Sequence, residues 1–327
     1  MDSGTHFIMG LGLFALAHLD PTVVASTPAL VGTATATVIG SQMPDADIIT
    51  RLGGNAFYLR HHRGLSHALP MLAVHTLGIA GLIAAFGYGP PLLHLLFWTA
   101  LAVFLHVGTD IFNSYGTQVL RPWRKTRVAL HVIPIVDPFI IALHLAGLIA
   151  WAGGSPPGPA FLIVYLLLPA YFAAKTVYRR RAERALARLY PHARRLILPK
   201  SSPFAWQVVI EAPHHFLIGR YAFGAVRFRQ AVIKENADSE ALAAARRSRA
   251  VQAFLAFSST VYATTRRTGR GVEVRYFDIR YFGRERHPLM LTVVVDERGA
   301  VVYEHLAWKC PERMNRRLGA WAERQTA

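Results

Sequence analysis

Between Leu92 and Gln118 an apolar stretch of membrane-spanning length carries His106, Asp110, Asn113 and Thr117 at spacings of four, three and four, which predicts all four on one face of a helix. Polar and ionisable groups are expensive in hydrocarbon, so such a stripe is either a buried structural network or a binding site. An imidazole one helical turn from a carboxylate is a pair that chelates a divalent metal. The chain brings further groups of the same two kinds: His6, the pair in Pro44-Asp45-Ala46-Asp47, and those in His61-His62-Arg63-Gly64-Leu65-Ser66-His67.

Apolar segments occupy about residues 5–19, 27–43, 68–87, 91–113, 133–152 and 160–178. The last four are long enough to cross a bilayer core of about 30 Å as helices. The first two, shorter or rich in Gly, Ala and Thr, read as tilted spans, half-buried helices or helices packed inside the bundle. The expected fold is mainly α, a polytopic transmembrane bundle of about six hydrophobic helices, followed by a small α+β domain. Arg51, Arg60 and Arg63, then Arg121, Arg124, Lys125 and Arg127, then Arg179, Arg180 and Arg181 fall in alternate connections. With six spans they share one side, which the positive-inside rule makes cytoplasmic, together with both termini. His6, Asp45, Asp47, His62, His67, His106, Asp110 and Asp137 all lie at that end of their helices. Residues distant in sequence are thereby expected to meet at the cytoplasmic surface of an inner or plasma membrane.

Charge divides the chain the same way. Residues 1–178 hold 8 Lys plus Arg against 6 Asp and no Glu, whereas 179–327 hold 28 basic and 13 acidic residues. The expected units are a membrane domain over 1–178, a basic amphipathic linker helix over 179–198 that reads first as a topology anchor and otherwise as a helix lying against acidic lipid, and a cytoplasmic α+β domain over 199–327. Within the last, Gln207–Ile210, Val226–Lys234, Val272–Tyr281, Leu289–Asp296 and Ala300–Leu306 read as strands, Ser239–Phe257 as one helix, and Asp296-Glu297-Arg298-Gly299 as a hairpin turn. One cysteine, Cys310, excludes an intramolecular disulfide and any multi-thiolate metal site. The run from Phe7 to Leu19 has no Lys or Arg before it and no clear cleavage site after it, which argues against a removable signal peptide.

The ligand set expected from types and placement is His6, Asp45, Asp47, His62, His67, His106 and Asp110. Imidazoles and carboxylates without thiolates suit one or two hard or borderline divalent ions, zinc or manganese first. Metal-activated water would attack an ester, with Asp47 taking the proton and Arg63 steadying the developing anion, which points to a phosphoester such as a phospholipid or its headgroup. Each part has a structural alternative: Arg63 as a topology arginine, Asp45 and Asp47 as helix terminators, His61 and His62 as solvated loop residues, Asp137 as an N-cap. Asn113 and Thr117 read as ligand-orienting or capping groups, and His18, His75, His94 and His144 as satisfied core or interfacial histidines. Two rival classes stay open, an ion pathway and a membrane anchor stapled by a structural metal. Nucleic acid ranks low as a partner beside membrane lipid, because the C-terminal aromatics alternate as core residues do.

Gly4-Thr5-His6, Pro44-Asp45-Ala46-Asp47, His62-Arg63-Gly64-Leu65-Ser66-His67 and the run from His106 through Asp110 to Asn113-Ser114-Tyr115-Gly116-Thr117 together resemble the membrane-bound, metal-dependent hydrolase family related to YdjM, the LexA-regulated inner-membrane protein. The resemblance covers about the first 178 residues and implies that the matching His and Asp residues bind metal for hydrolysis of an unassigned substrate. The longer form with Asp137-Pro138 and a basic extension is similar to the Bacillus-type branch. A fainter similarity to zinc-dependent phospholipase C implies phosphodiesterase chemistry, although the ligating N-terminal tryptophan of those enzymes is missing here.

Overall fold

Short polar side chains and prolines start most of the helices. In the computed structural model, which describes residues 1–234, 237–258, 260–281 and 289–307, Asp2 accepts from the Thr5 amide to open α1 (Ser3–Leu16). Asp20 opens the single turn α2 (Pro21–Val24), and Ser26 with a following proline opens α3 (Thr27–Gln42). A 3-10 segment over Met43–Gly53 leads to α4 (Asn55–His61) and, through a short turn at Leu65–His67, to α5 (Leu69–Ala85). Then come α6 (Leu92–Phe112), α7 (Pro138–Ala152), capped by Asp137, and α8 (Pro157–Leu189).

All six apolar segments become helices, yet only α6 and α8, at 21 and 33 residues, are long and apolar enough on their own to cross a membrane. The segment over α4 and its turn joins α5 across a 73° bend, and the pair passes the same test if it counts as one broken span. The expectation of about six spans is therefore corrected to two, or three with the bent pair, among the described residues. With about 1.5 Å per residue, helices of 14 to 16 residues reach about 21–24 Å, short of a core of about 30 Å.

Small residues let α3 lie between its neighbours. Gly10 of α1 faces Ser41 and the Thr37 carbonyl of α3, and Gly40 of α3 faces Ala102 and the Thr99 carbonyl of α6. Close backbone approach of this kind is how helices associate where burial from water gives little help. It brings the last turn of α3 against both the start of α1 and the lower half of α6.

Two predicted elements end differently. The helix carrying His106 and Asp110 stops at Phe112, so Asn113 is its C-cap and Thr117 lies beyond it, paired with Val128. The cause is local: Asn113 Oδ1 accepts from the Tyr115 and Gly116 amides, and Gly116 turns the chain at φ +63°. Conversely, α8 runs without a break through Arg179–Arg181 to Leu189, so the first half of the expected linker belongs to the last apolar helix and much of its second half becomes strand.

Beyond α8, β1 (Arg194–Pro199), β2 (Ala205–Glu211), β3 (His215–Ala222) and β4 (Ala225–Ile233) form an antiparallel meander. One face packs Trp206, Val208, Ile210 and Tyr221 on Ala182 and Leu186 of α8, and the other packs Val209, Phe216 and Ile218 on Tyr262 and Ile279. A second meander follows α9 (Ser239–Ala245) and α10 (Arg249–Phe257): β5 (Val261–Thr268), β6 (Gly271–Asp278), β7 (Met290–Val295) and β8 (Val301–Ala307). Ser248 breaks the single helix expected over 239–257 by capping α10, accepting from the Ala250 and Val251 amides. The two helices cover the second sheet through Ala241, Ala244 and Ala245 of α9 and Val251, Phe254 and Phe257 of α10. Asp296 Oδ1 closes the predicted hairpin turn on the Arg298 and Ala300 amides. Cys310 lies outside the described residues.

A side chain at position 10 has no room beside Ser41 and the Thr37 carbonyl. Gly10→Val is expected to destabilise the helical half by about 1–3 kcal/mol, read as a lower thermal midpoint in detergent. An unchanged midpoint would show that α1 and α3 are not held together there.

Candidate metal centre

Three helix ends deliver four side-chain atoms to one point. Asp45 comes from the 3-10 segment after α3, His67 from the turn before α5, and His106 and Asp110 from the last turns of α6, and one ligand atom from each lies within 4.8 Å of the others. His67 Nε2 is 3.5 Å from Asp45 Oδ1 and 3.3 Å from Asp110 Oδ2, and His106 Nε2 is 3.6 Å from each of the same two oxygens. Ligands about 2.1 Å from a tetrahedral ion stand about 3.4 Å apart, and these four separations match that edge length.

The four atoms have no hydrogen-bond partner, although each is shielded from solvent. The other ring nitrogens are engaged. His106 Nδ1 lies 2.6 Å from the Ser41 carbonyl oxygen, to which it must donate, leaving Nε2 as the lone-pair atom. His67 Nδ1 is 2.9 Å from Ser66 Oγ, whose hydroxyl donates to Asp47 Oδ2 at 2.9 Å. This relay also leaves Nε2 of His67 free to bind. The donor set and its supporting contacts fit a divalent cation.

Asp47 is not one of the four. Its Oδ1 meets His62 Nδ1 at 2.9 Å, and its Oδ2 accepts from the Arg63 amide at 2.7 Å and from Ser66. It fastens the loop from His62 to His67, in which Arg63 adopts φ +55°. With Asp45 and His62 it forms a second group of ligand atoms within 4.8 Å. His6 stacks on His106 with ring centres 3.6 Å apart, and its Nε2 is 3.4 Å from Asp110 Oδ1, an oxygen that the Met1 nitrogen also contacts. Arg63, buried, places Nε 3.2 Å from Asp110 Oδ2 and donates from Nη2 to the Met1 carbonyl. Asn113 Nδ2 donates to Asp110 Oδ1 at 3.0 Å, the orienting role expected of it, whereas buried Thr117 makes no contact with the cluster.

Asp137 stands apart as the N-cap of α7, bonded also to the Tyr171 hydroxyl. The remote histidines have partners on one ring nitrogen, His18 and His144 at the carbonyls of Phe14 and Ile140, His75 at that of Ser66 and His94 at the carboxylate of Asp20, while the buried Nε2 of His144 has none. Burial pushes the Asp45 carboxyl up, but His106, His67 and Arg63 overrule it and hold the group well below the usual carboxylate range. Asp47 is lowered in the same sense, burial again opposing and His62 and the Arg63 amide prevailing. Both are carboxylates at neutral pH, the state a cation requires.

A cavity of about 330 Å³ opens beside the cluster, lined by Asp45, His62, Arg63, Tyr58, Tyr115 and Phe257 among others. Phe257 belongs to α10, so the C-terminal domain supplies part of the wall. Arg127, from the loop before α7, donates to the His62 carbonyl and lies over the Phe257 ring. Burial, then Arg63 and Arg280, push it down to about 10. Spacing alone did not reveal Ser66, Arg127, Tyr115 or Phe257. Ser66 carried a signal, being next to His67 in a motif already dense in ligands, but the three others meet the cluster only through the fold.

An apolar helical bundle gathered over buried imidazoles and carboxylates defines a membrane protein with a candidate metal centre, and the chain belongs to the YdjM inner membrane protein family, whose profile matches residues 1–182. Residues 240–318 match the YfhP C-terminal alpha/beta plait domain. Among curated proteins, the uncharacterized protein YfhP of Bacillus subtilis (strain 168) is 35% identical over 315 residues, which cover 94% of this chain and 95% of that protein. No solved structure matches.

Ser66→Ala removes the relay behind His67 without touching a ligand atom, and is expected to weaken divalent-metal affinity about 10–100-fold, measured by chelator competition. Unaltered affinity would mean that His67 needs no such support. His131 is held down to about 4, by burial first and then by Arg280 and Arg179. The folded state prefers it neutral, so stability is fully present above the unfolded value of about 6.5 and is lost as pH falls from there towards 4. A pH series of thermal midpoints should show that loss reduced in His131→Gln, and an identical acid slope in the variant would refute the assignment.

Proposed function

We propose that this chain is a metal-dependent hydrolase of the membrane surface, acting on a phosphoester. The observation that carries the reading is the set of four buried, mutually facing ligand atoms beside an open cavity, none with a hydrogen-bond partner and Asp110 Oδ2 also within 3.2 Å of Arg63 Nε. His67, His106 and Asp110 are fully enclosed, whereas the Asp45 side chain keeps 15% exposure and lines that cavity. Four protein ligands are the count of closed structural sites, whereas catalytic ones keep a position for water. The hydrolase reading assigns that position to the cavity side, where Asp45, the ligand at the opening, would give way or the shell would expand to five. When bound, a zinc or manganese ion supplies Lewis acidity and lowers the pKa of water at the centre.

The chain's own groups divide the remaining work. Asp47 is saturated by three donors, which suits it to orient His62 rather than to take a proton itself. His62 lines the cavity with Asp47 behind its Nδ1, the arrangement that holds an imidazole as proton acceptor. Arg63 reaches the same cavity with Nη1 unpartnered, a donor available to a phosphoryl oxygen. The arginines in the connections support a cytoplasmic position for this end of the bundle, and there a phospholipid or its headgroup is the nearest abundant phosphoester.

Full-length protein in detergent, loaded with zinc or manganese, is expected to hydrolyse at least one member of a panel of phosphodiesters and phospholipids. His106→Ala and Asp110→Ala should lose both metal and turnover. His62→Gln should keep the metal and lose about 10²–10⁴-fold in kcat. Bound metal without turnover on any substrate would leave a structural staple, and metal flux in proteoliposomes would make the centre part of an ion pathway.

A further inference from the structure

The metal ligands all belong to the first 110 residues, yet one of them is tied to the C-terminal domain. Asp110 Oδ1 accepts from Asn113 Nδ2, and Asn113 Oδ1 in turn takes the Tyr115 and Gly116 amides. The carbonyl of the intervening Ser114 accepts from Arg280 Nη1 at 2.9 Å. Arg280 sits just past the end of β6 and is buried there, clamped by Asp278, with Nε within 2.9 Å of both carboxylate oxygens and Nη2 at 2.6 Å from Oδ2. Its guanidinium also lies over the Tyr115 and Phe257 rings, which are 5.3 Å apart.

The energetics favour a fixed element over an incidental contact. Burying an ion pair such as Asp278 and Arg280 costs several kcal/mol of desolvation per ion. Four bonds to the carboxylate, one of them from the Arg280 amide, aim the remaining guanidinium nitrogen at a single carbonyl. Asn55 Nδ2 bonds the Leu306 carbonyl, and Leu59 is fully buried in the core of the second sheet, so the domain also grips α4, whose Tyr58 lines the cavity.

We propose that the C-terminal domain is a working part of the metal centre, in which Arg280 is a positioning residue that sets the Ser114–Gly116 turn and, through Asn113, the carboxylate of Asp110. This rests on the metal-centre reading above. It gives the domain a role at the centre itself, distinct from anchoring or lipid contact.

Cobalt titration of the full-length protein in detergent tests it, because affinity and the d–d absorption band report the ligand geometry without any substrate. Arg280→Met is expected to weaken cobalt binding about tenfold or more and to shift the band, with Arg280→Lys, which cannot hold Asp278 and the carbonyl together, in between. Exposed Arg266→Ala should change neither. Asn113→Ala combined with Arg280→Met should bind within threefold of Asn113→Ala alone, since both cut one path. Wild-type affinity and spectrum in both Arg280 variants, or a double variant losing the product of the two effects, would overturn the inference. A check needing no variant is amide exchange: cobalt should protect 278–280 as well as 113–117 in the wild-type chain, and protection confined to 113–117 overturns it. A wild-type chain that takes up no cobalt removes the metal reading itself, and this inference with it.

Discussion

The constraint on which the helical half depends is the burial of two carboxylates and two imidazoles against one another, with four facing atoms that have no hydrogen-bond partner. Leaving a buried polar atom unsatisfied costs about 1–3 kcal/mol, and more if it is charged. Four such atoms within 4.8 Å would be a serious liability in a protein stable by only about 5–15 kcal/mol. A divalent cation turns the liability into the strongest local interaction available. Much of the surrounding structure serves to keep those four atoms in register: the Ser41 carbonyl behind His106, the Ser66 and Asp47 relay behind His67, and Asn113 beside Asp110.

Close helix approach is the means by which that register is achieved. Gly10 and Gly40 let α3 sit against α1 and α6, which puts the Ser41 carbonyl within reach of His106 and leaves Asp45 just past the helix end. The Gly, Ala and Thr content of this segment, which makes it a poor candidate for facing lipid, is what makes it a good centre strut.

Much of this was legible from residue order because the relevant periodicities are local. A His and an Asp four apart must share a helix face, and ligands at the ends of apolar segments must share a side of the bundle. His67, His106, Asp45 and Asp110 were accessible on those grounds. What spacing does not encode is division of labour among neighbours, so Asp47, which stands with Asp45 and His62 in a second ligand group, is at the same time the fastening of the loop. Hydropathy likewise reports where apolar residues lie but not how many join one unbroken helix, hence the overestimate of spans. In the C-terminal domain β1 opens on two arginines and closes on a proline, and β5 carries Thr264 to Thr268 with polar side chains on both faces, so neither shows the alternation of a half-buried strand. Arg280 meets Ser114 from 166 residues away, a distance no local pattern spans.

The continuity of α8 bears on how the molecule can be taken apart. At 33 residues it is a rod of about 50 Å whose first turns are lipid-compatible and whose last turns are the floor under Trp206 and Tyr221. The helix is continuous, with Pro169 inside it, so the first sheet is carried on the same rod as the apolar turns rather than on a flexible tether. A scalpel placed at the point where hydropathy falls would therefore sever a beam, not a string, and strip the first sheet of its own foundation.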